Sequence, residues 1–143
     1  MMPVRLFSEY LREGIVKKQA PDTSRAMSLM EEAQKSYNVL MNIIEKIGLS
    51  DENANYIIKN SYDVVMEMIR AKMLSEGLNS SGKGAHEAEV SYLRKINFKE
   101  TEVQFANQLR YFRNGILYYG KSFDKEYAEK VLKFMKKTCS RLK

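Results

Sequence analysis

The residues of this sequence best suited to chemistry lie close together in residues 109–120, which read LRYFRNGILYYG. If this segment is helical, Arg113 falls within an apolar stripe formed by Phe105, Leu109, Phe112 and Ile116. A guanidinium stays charged at neutral pH, so such an arginine either extends its head to water or pairs with a carboxylate, a phosphate or a carbonyl. Arg113, Asn114, Tyr118 and Tyr119 are therefore the candidate site residues, and an anion is the favoured ligand.

The order of these residues resembles the signature of the HEPN family, whose members are small bundles of helices. The family motif is an arginine, often followed by asparagine, with a histidine a turn or more further along the penultimate helix. Arg113 and Asn114 match this motif, and Tyr118 or Tyr119 stands where active members carry the histidine. The resemblance covers roughly residues 22–142. It implies a metal-independent cleavage of RNA, with the histidine as general base on the 2′-hydroxyl and the arginine steadying the phosphate.

The two tyrosines change what this resemblance predicts. Histidine suits a general base because it titrates near neutral pH, whereas a phenol with a reference pKa of about 10 is almost wholly protonated there. We therefore expect a degenerate motif, in which Arg113 and Asn114 bind phosphate while the protein alone cleaves RNA far more slowly than a relative with the histidine. The alternative is an active metal-independent ribonuclease that uses Tyr118 or Tyr119 as its base.

The chain has one histidine and one cysteine, His86 and Cys139. His86 lies in the segment GAHEA, at the start of a different helix from Arg113, so spacing does not join it to the motif; we interpret it as a polar residue of a first helical turn. A single cysteine excludes an intramolecular disulfide, and together with a single histidine it leaves no zinc site. No metal and no cofactor are expected.

Two further segments have features of phosphate-binding elements. Residues 78–85, LNSSGKGA, are expected to be a flexible loop, because a P-loop follows a strand and ends in Gly-Lys-Ser/Thr. The net charge is +6, and residues 121–143 carry eight basic and three acidic side chains. Such a helix is typical of a phosphate-binding surface, and equally of a solvated helix C-terminus. No aromatic residue visibly interleaves its exposed basic face, so both interpretations stay open.

The elements that must position these residues are all helical. The chain has 143 residues, 44% of them hydrophobic, and only two prolines, which predicts one all-α domain over 1–143. We expect an up-and-down bundle of five or six helices without a sheet, with breaks near 20–22, 48–50, 77–86 and 120–123. The first helix, 4–18, is expected to be peripheral within residues 1–20, and 22–142 to form the HEPN-like core. In the last helix, about 124–142, Tyr127, Val131, Phe134 and Met135 are expected to face inward.

Three interpretations of the function remain open. In the first, implied by the HEPN resemblance, the protein is a homodimer that acts with a small nucleotidyltransferase as a toxin–antitoxin type of pair. Two copies of Arg113 would then line a shared cleft, and the partner would modify Tyr111, Tyr118 or Tyr119. In the second, the cleft is a non-catalytic site for RNA or a nucleotide. In the third, the chain is a helical protein-interaction module.

The sequence gives no sign of a membrane location. No apolar run approaches the roughly 18 residues needed to span a bilayer. Charged residues within the first turns, Arg5, Glu9, Arg12 and Glu13, interrupt the apolar core that a signal peptide needs. We expect a cytoplasmic protein with no membrane partner.

Overall fold

Six helices and one small sheet make up residues 3–143, the part of the chain described by this computed structural model; Met1 and Met2 of the predicted domain lie outside the described residues. The elements are α1 (Phe7–Arg12), β1 (Val16–Lys18), α2 (Thr23–Ile47), α3 (Ala54–Ser75), β2 (Leu78–Ser80), α4 (Ala85–Lys95), α5 (Glu100–Tyr119) and α6 (Lys125–Leu142). The predicted all-α bundle is confirmed, and the long helices are interrupted where breaks were predicted.

Helix α3 is the centre of the bundle, in contact with α2, α4, α5 and α6. It is apolar on nearly every side, and its fully buried side chains include Ile57, Ile58, Tyr62, Met68, Ile69 and Leu74. Apart from a polar stripe that includes Lys59, Asp63 and Glu67, the helix is hydrophobic and has to be covered by its neighbours, which explains its central position. Because α4 and α5 both pack on it, side chains of α3 form the floor between those two helices.

The sheet corrects two predictions from the sequence. Residues 16–18 were expected to continue the first helix, and residues 78–80 to be part of a loop, but they pair as antiparallel strands with Val16 opposite Ser80 and Lys18 opposite Leu78. Helix α1 is accordingly shorter than predicted and ends at Arg12. Each strand has only three residues, too few for an alternating pattern to be recognised in the sequence.

Gly77 makes the approach of the two strands possible. Its φ of +77° lies in the left-handed region, and a Cβ at this position would lie 2.3 Å from the carbonyl oxygen of Gln19. Gln19 donates its N–H to the carbonyl oxygen of Gly77 at 2.8 Å, so the two backbones are directly in contact. The sheet fastens the N-terminal segment to the connection between α3 and α4.

The N-terminal segment is part of the core. Tyr10 of α1 and Val16 of β1 are almost fully buried and belong to the same hydrophobic cluster as α3. The guanidinium of Arg94, near the end of α4, donates to the carbonyl oxygens of Val4 and Arg5 at 2.8 and 2.6 Å. The same guanidinium binds both carboxylate oxygens of Glu100, at the start of α5. Arg94 thus joins the N-terminal segment to the corner between α4 and α5.

Candidate phosphate-binding cleft

A cavity of about 420 Å³ lies between the start of α4 and the second half of α5. We call it the cleft. Its polar lining consists of Lys83, His86, Glu87, Arg110, Arg113, Asn114 and Tyr118. Three of the four predicted site residues, Arg113, Asn114 and Tyr118, therefore come together here. Tyr119 does not line the cleft; it lines a neighbouring cavity.

The turn before α4 brings the start of this helix to the cleft. Gly84, the residue before the helix, has a φ of +90°, a conformation that favours glycine. A Cβ at Gly84 would lie 3.3 Å from the side chain of Ile15, so the strand region also limits the size of this residue. The first N–H groups of a helix have no partner within it and carry a partial positive charge. This end of α4 therefore adds to the positive potential of the cleft.

Arg113 is held by α3. Its Nη2 lies 3.2 Å from Oδ1 of Asp63, and its guanidinium carbon lies 5.6 Å from the centre of the Tyr62 ring. Its side chain is 22% exposed and that of Asp63 is 53% exposed, so the ion pair is open to water on the carboxylate side. Nε of Arg113 is buried and has no hydrogen-bond partner within residues 3–143. A carboxylate from another helix thus pairs with Arg113, but it leaves Nε of the guanidinium without a hydrogen-bond acceptor.

Arg110 is a second cation of the cleft and was not among the predicted site residues. It precedes Arg113 by three residues, so the two side chains leave α5 on the same face. Nε and Nη2 of Arg110 donate to Oδ1 of Asn107 at 3.2 and 3.0 Å. Its guanidinium carbon lies 4.7 Å from the centre of the Tyr111 ring. The helical spacing was the signal in the sequence that would have found it.

His86 also lies in the cleft, which its position in the sequence did not indicate. Nδ1 of His86 is 3.3 Å from the hydroxyl of Tyr62, and the two rings are stacked with 6.4 Å between their centres. Burial raises the pKa of Tyr62 above its ordinary value, outweighing the opposite effect of Arg110 and Arg113, so this phenol stays protonated. When Nδ1–H donates to the phenol oxygen, Nε2 keeps a free lone pair.

The end of α5 is fixed to α3 by one asparagine. The helix ends at Tyr119, and Gly120 follows with a φ of +63°. The side chain of Asn55 donates to the carbonyl oxygen of Lys121 and accepts from the N–H of Phe123, both at 2.9 Å. The chain is thus anchored directly after the two tyrosines.

Tyr118 and Tyr119 themselves project from the surface, with exposed fractions of 72% and 79%. Beside them lies a cavity of about 520 Å³, which we call the tyrosine cavity. It is lined by Tyr111, Phe112, Asn114, Gly115, Tyr118, Tyr119, Lys121 and Phe123. Asn114 and Tyr118 line both this cavity and the cleft, so the two are adjacent.

An ion pair with a buried carboxylate joins α4 to α3 close to the cleft. Arg70 of α3 donates from Nε and Nη2 to the two carboxylate oxygens of Glu89 at 2.9 and 3.0 Å. Ser80 of β2 donates its hydroxyl to Glu89 at 2.7 Å, and the Glu89 side chain is only 2% exposed. Glu89 follows His86 by three residues, so this network fixes the turn of α4 that carries His86.

The charges of the cleft favour an anion. Lys83, Arg110 and Arg113 bring three positive charges, against Glu87 in the lining and Asp63 beside Arg113. Arginine side chains and helix N-termini are the groups that proteins commonly use to bind phosphate and carboxylate. Within residues 3–143, no three His, Cys, Asp or Glu side chains come together as metal ligands. The chemistry available at the cleft is thus anion binding, with His86 and Tyr118 at its edge.

Comparison of the chain with protein-family models, with curated proteins and with solved structures finds no match. The function therefore has to be argued from the cleft and its surroundings. Among the helices described, none combines the length and the apolar character that crossing a bilayer requires.

Proposed function

We propose that the cleft binds a phosphate group of RNA or of a nucleotide, and that the protein is a HEPN-like domain in which the ribonuclease motif is degenerate. The observation that carries this proposal is the convergence of Arg110 and Arg113 with Lys83 at the start of α4. The unpaired Nε of Arg113 supports it further, because a buried donor without a partner is costly unless a ligand satisfies it.

Asn114 and Tyr118 extend the proposal from phosphate to nucleotide. The amide of Asn114 offers both donors and an acceptor, which is what the polar edge of a base requires. Tyr118 is 72% exposed at the rim of the cleft, so its ring is available for stacking on a base. The phosphate would lie between the arginines and the start of α4, with the base toward the end of α5.

The proposal includes a homodimer and a partner protein. Large side chains are exposed together at the end of α5: Tyr111, Leu117, Tyr118 and Tyr119. Such a patch is typical of an interface, and a second copy placed there would bring two clefts near each other. The HEPN resemblance adds a small nucleotidyltransferase in a toxin–antitoxin type of pair, with Tyr111, Tyr118 and Tyr119 as the tyrosines open to modification.

One observation favours a second candidate function, cleavage of RNA. His86 lies in the cleft with Arg113, so a histidine is present although the motif on α5 lacks one. In this reaction, Nε2 of His86 takes the proton of a 2′-hydroxyl, the 2′-oxygen bonds to phosphorus, and the bond to the 5′-oxygen breaks. Water protonates the leaving oxygen, and the product is a cyclic 2′,3′-phosphate. Arg113 would stabilise the charge on the phosphate oxygens.

Binding is tested first, by fluorescence anisotropy and calorimetry with adenosine monophosphate and a short unstructured RNA. We expect Arg110→Gln and Arg113→Gln each to weaken binding about tenfold or more, because each removes charge-assisted hydrogen bonds. Arg25→Gln is the matched control, since Arg25 is exposed at the start of α2, away from the cleft. Equal affinities for all three variants would contradict the proposal.

Cleavage is tested separately, by following the same RNA on a gel and identifying the product ends. If the second candidate is right, His86→Gln abolishes cleavage and preserves binding. If Tyr118→Phe or Tyr119→Phe abolishes it instead, a tyrosine is the base. If the native protein binds RNA without cutting it, the binding function stands and the ribonuclease candidate is wrong.

A further inference from the structure

A row of aromatic rings lies at the junction of α5 and α6. The ring centres of Phe105 and Phe134 are 4.7 Å apart, and those of Phe105 and Tyr127 are 6.3 Å apart. The last helix had been expected to turn Tyr127 and Phe134 inward with Val131 and Met135. Val131 and Met135 are buried, but both aromatic residues are only half-buried. Parts of their rings therefore remain available for contact.

Lysines of α6 accompany these rings. Lys130, Lys133 and Lys137 repeat at intervals of three and four residues, which places them on one side of the helix. Together with Phe105 and Phe134 they line a shallow depression of about 260 Å³. Lys137 is 64% exposed and lies 3.4 Å from Glu102. We call Phe105, Tyr127, Lys130, Lys133, Phe134 and Lys137 the lysine–aromatic strip.

The chemistry of the strip selects its ligand. Lysines attract anions, and accessible aromatic rings bind flat apolar groups. A nucleic acid with unpaired bases has one phosphate anion and one flat base in every nucleotide. A duplex hides the faces of its bases, and a second copy of the same surface would bring lysines against lysines. We propose that the strip binds single-stranded nucleic acid, with its bases on the rings and its phosphates at the lysines.

The strip and the cleft lie along one path over the second half of α5. The tyrosine cavity adjoins the cleft through Asn114 and Tyr118. It adjoins a third cavity, of about 620 Å³, through Phe112 and Phe123, and Lys130 lines that third cavity as well as the strip. A single strand that starts in the cleft would therefore reach the strip, and in the proposed homodimer this requires that the second copy covers the outer faces of Tyr118 and Tyr119 and leaves the tyrosine cavity open.

The middle of this path is unsuited to phosphate, because Asp51, Asp124 and Glu126 line the third cavity. The carboxylates of Asp51 and Asp124 accept the N–H groups of Lys125 and Tyr127, so they are part of the local fold. The strand would thus be held at its two ends, the cleft and the strip. The inference rests on the proposed function for the class of ligand, but it depends on different residues.

The charge contribution is tested by fluorescence anisotropy with unstructured RNA and DNA oligonucleotides of about 16 nucleotides, within the range that such surfaces cover. The triple variant Lys130→Gln, Lys133→Gln, Lys137→Gln should bind both oligonucleotides more weakly. The decrease of log affinity with log salt should also become less steep, by about 2 in the slope. The control Lys17→Gln, Lys18→Gln, Lys46→Gln removes the same charge from exposed positions outside the strip and should leave affinity and slope nearly unchanged.

The stacking contribution is tested with Phe134→Leu and Phe105→Leu, which keep an apolar side chain and remove the ring; circular dichroism verifies that both variants fold. Each should bind single strands about fivefold more weakly or worse, without affecting binding of a duplex of the same length. Equal binding of duplex and single strand by the native protein would overturn the stacking role.

The two proposals fail in different ways. If only the cleft variants Arg110→Gln and Arg113→Gln weaken oligonucleotide binding, the proposed function stands and the strip is not a binding site. If only the strip variants weaken it, and the cleft variants bind adenosine monophosphate as well as the native protein does, the strip stands and the cleft proposal is wrong. If the strip variants change the oligomeric state and leave oligonucleotide binding intact, the strip contacts protein, and the inference is wrong.

Discussion

The carboxylate of Asp63 offsets part of the positive charge that Arg113 contributes to the cleft. The ion pair is 3.2 Å long, and the carboxylate side is 53% exposed, so water already competes for both partners. Pairs of this kind contribute little to stability, typically about 0–1 kcal/mol. A phosphate, with more acceptor oxygens, would compete well for the guanidinium. Asp63 therefore holds Arg113 in place without satisfying it.

Replacing Asp63 should strengthen anion binding. In Asp63→Asn, the negative charge beside the cleft is lost while the size of the side chain is kept. We expect the affinity for adenosine monophosphate to rise about two- to fivefold, the range that corresponds to an exposed ion pair. Glu45→Gln, at an exposed position on α2, is the control with the same change in charge. A loss of affinity in Asp63→Asn would show that the carboxylate orients Arg113 more than it competes for it.

Cys139, unlike the exposed carboxylate of Asp63, is a reactive side chain that is buried in the fold. It is 1% exposed, and burial raises the pKa of its thiol to about 12. Because the thiolate is the reactive form, the native protein should react with a thiol reagent at about pH 8 far more slowly than the protein unfolded in urea. Rapid labelling of the native protein would mean that the C-terminal part of α6 opens readily.

At the scale of elements, two polar contacts of α4 differ greatly in their surroundings. The pair between Arg70 and Glu89 is buried on the carboxylate side, whereas Glu100, the partner of Arg94, is 57% exposed. Removing one partner of a buried pair leaves a charge that water cannot fully solvate. Glu100→Gln leaves Arg94, which is 20% exposed, but the carbonyl oxygens of Val4 and Arg5 still accept from its guanidinium, so the cost is smaller. The two pairs should therefore respond very differently to substitution.

Glu89→Gln should lower the free energy of unfolding by about 2–3 kcal/mol, because it removes the charge that Arg70 and Ser80 are arranged to meet. The loss stays in this range since Arg70 is 31% exposed and water can solvate it in part. Chemical denaturation measures the difference, with Glu100→Gln as the comparison, expected to cost no more than about 1 kcal/mol. Similar losses in both variants would contradict the role given to the buried network.

The pair of Arg94 and Glu100 should contribute to stability in a pH-dependent way. Hydrogen bonds from Arg94 and Gln104 lower the pKa of Glu100 from 4.5 to about 2. A carboxyl whose pKa is lower in the folded state stabilises the protein above its ordinary pKa, and this stabilisation is lost as the pH falls through the lower value. The difference in unfolding free energy between the native protein and Glu100→Gln should therefore shrink between about pH 4.5 and pH 2. Because Glu100 is largely exposed, the effect should not exceed about 1 kcal/mol.

The elements show where the sequence was informative. Apolar residues repeated every three or four positions, with glycine or proline between the repeats, gave the long helices and the breaks between them. Two strands of three residues carry no such pattern, and Val16 and Ser80, which pair, are separated in the chain by α2 and α3. Local patterns predict local structure, and contacts between distant segments need the fold.

The same limit applies to the cleft. The position of Arg113 within an apolar stripe indicated that it needs a partner, but Asp63 lies 50 positions earlier, on α3. His86 lies on α4, and no spacing along α5 relates it to Arg113. Phe105 joins the lysine–aromatic strip from α5. Tyr127 and Phe134 of α6 were expected to face inward but are only half-buried, which is why the basic face of α6 seemed to lack aromatic residues.

At the scale of the whole molecule, the end of α5 carries several of the large apolar side chains that are exposed. Tyr118 and Tyr119 are 72% and 79% exposed, and Leu117 and Tyr111 beside them are 44% and 39% exposed. Phe112, by contrast, packs on Phe123 and Tyr127 within the bundle. Scattered apolar residues are normal on a surface, but several that line one cavity, as Tyr111, Tyr118 and Tyr119 do, indicate an interface. Two hydrogen bonds of Asn55 anchor the chain directly after this end.

We therefore predict a homodimer that contacts its second copy at the end of α5. Light scattering at micromolar concentration should give twice the mass of one chain for the native protein. Tyr118→Asp combined with Tyr119→Asp should give a monomer, because two carboxylates per chain would have to be buried at the interface without partners. Tyr56→Asp, which places the same charge at a tyrosine of α3 that is 47% exposed, should remain dimeric. A monomeric native protein would show that these tyrosines serve the ligand alone, and a dimer that survives the double substitution would place the interface on another face.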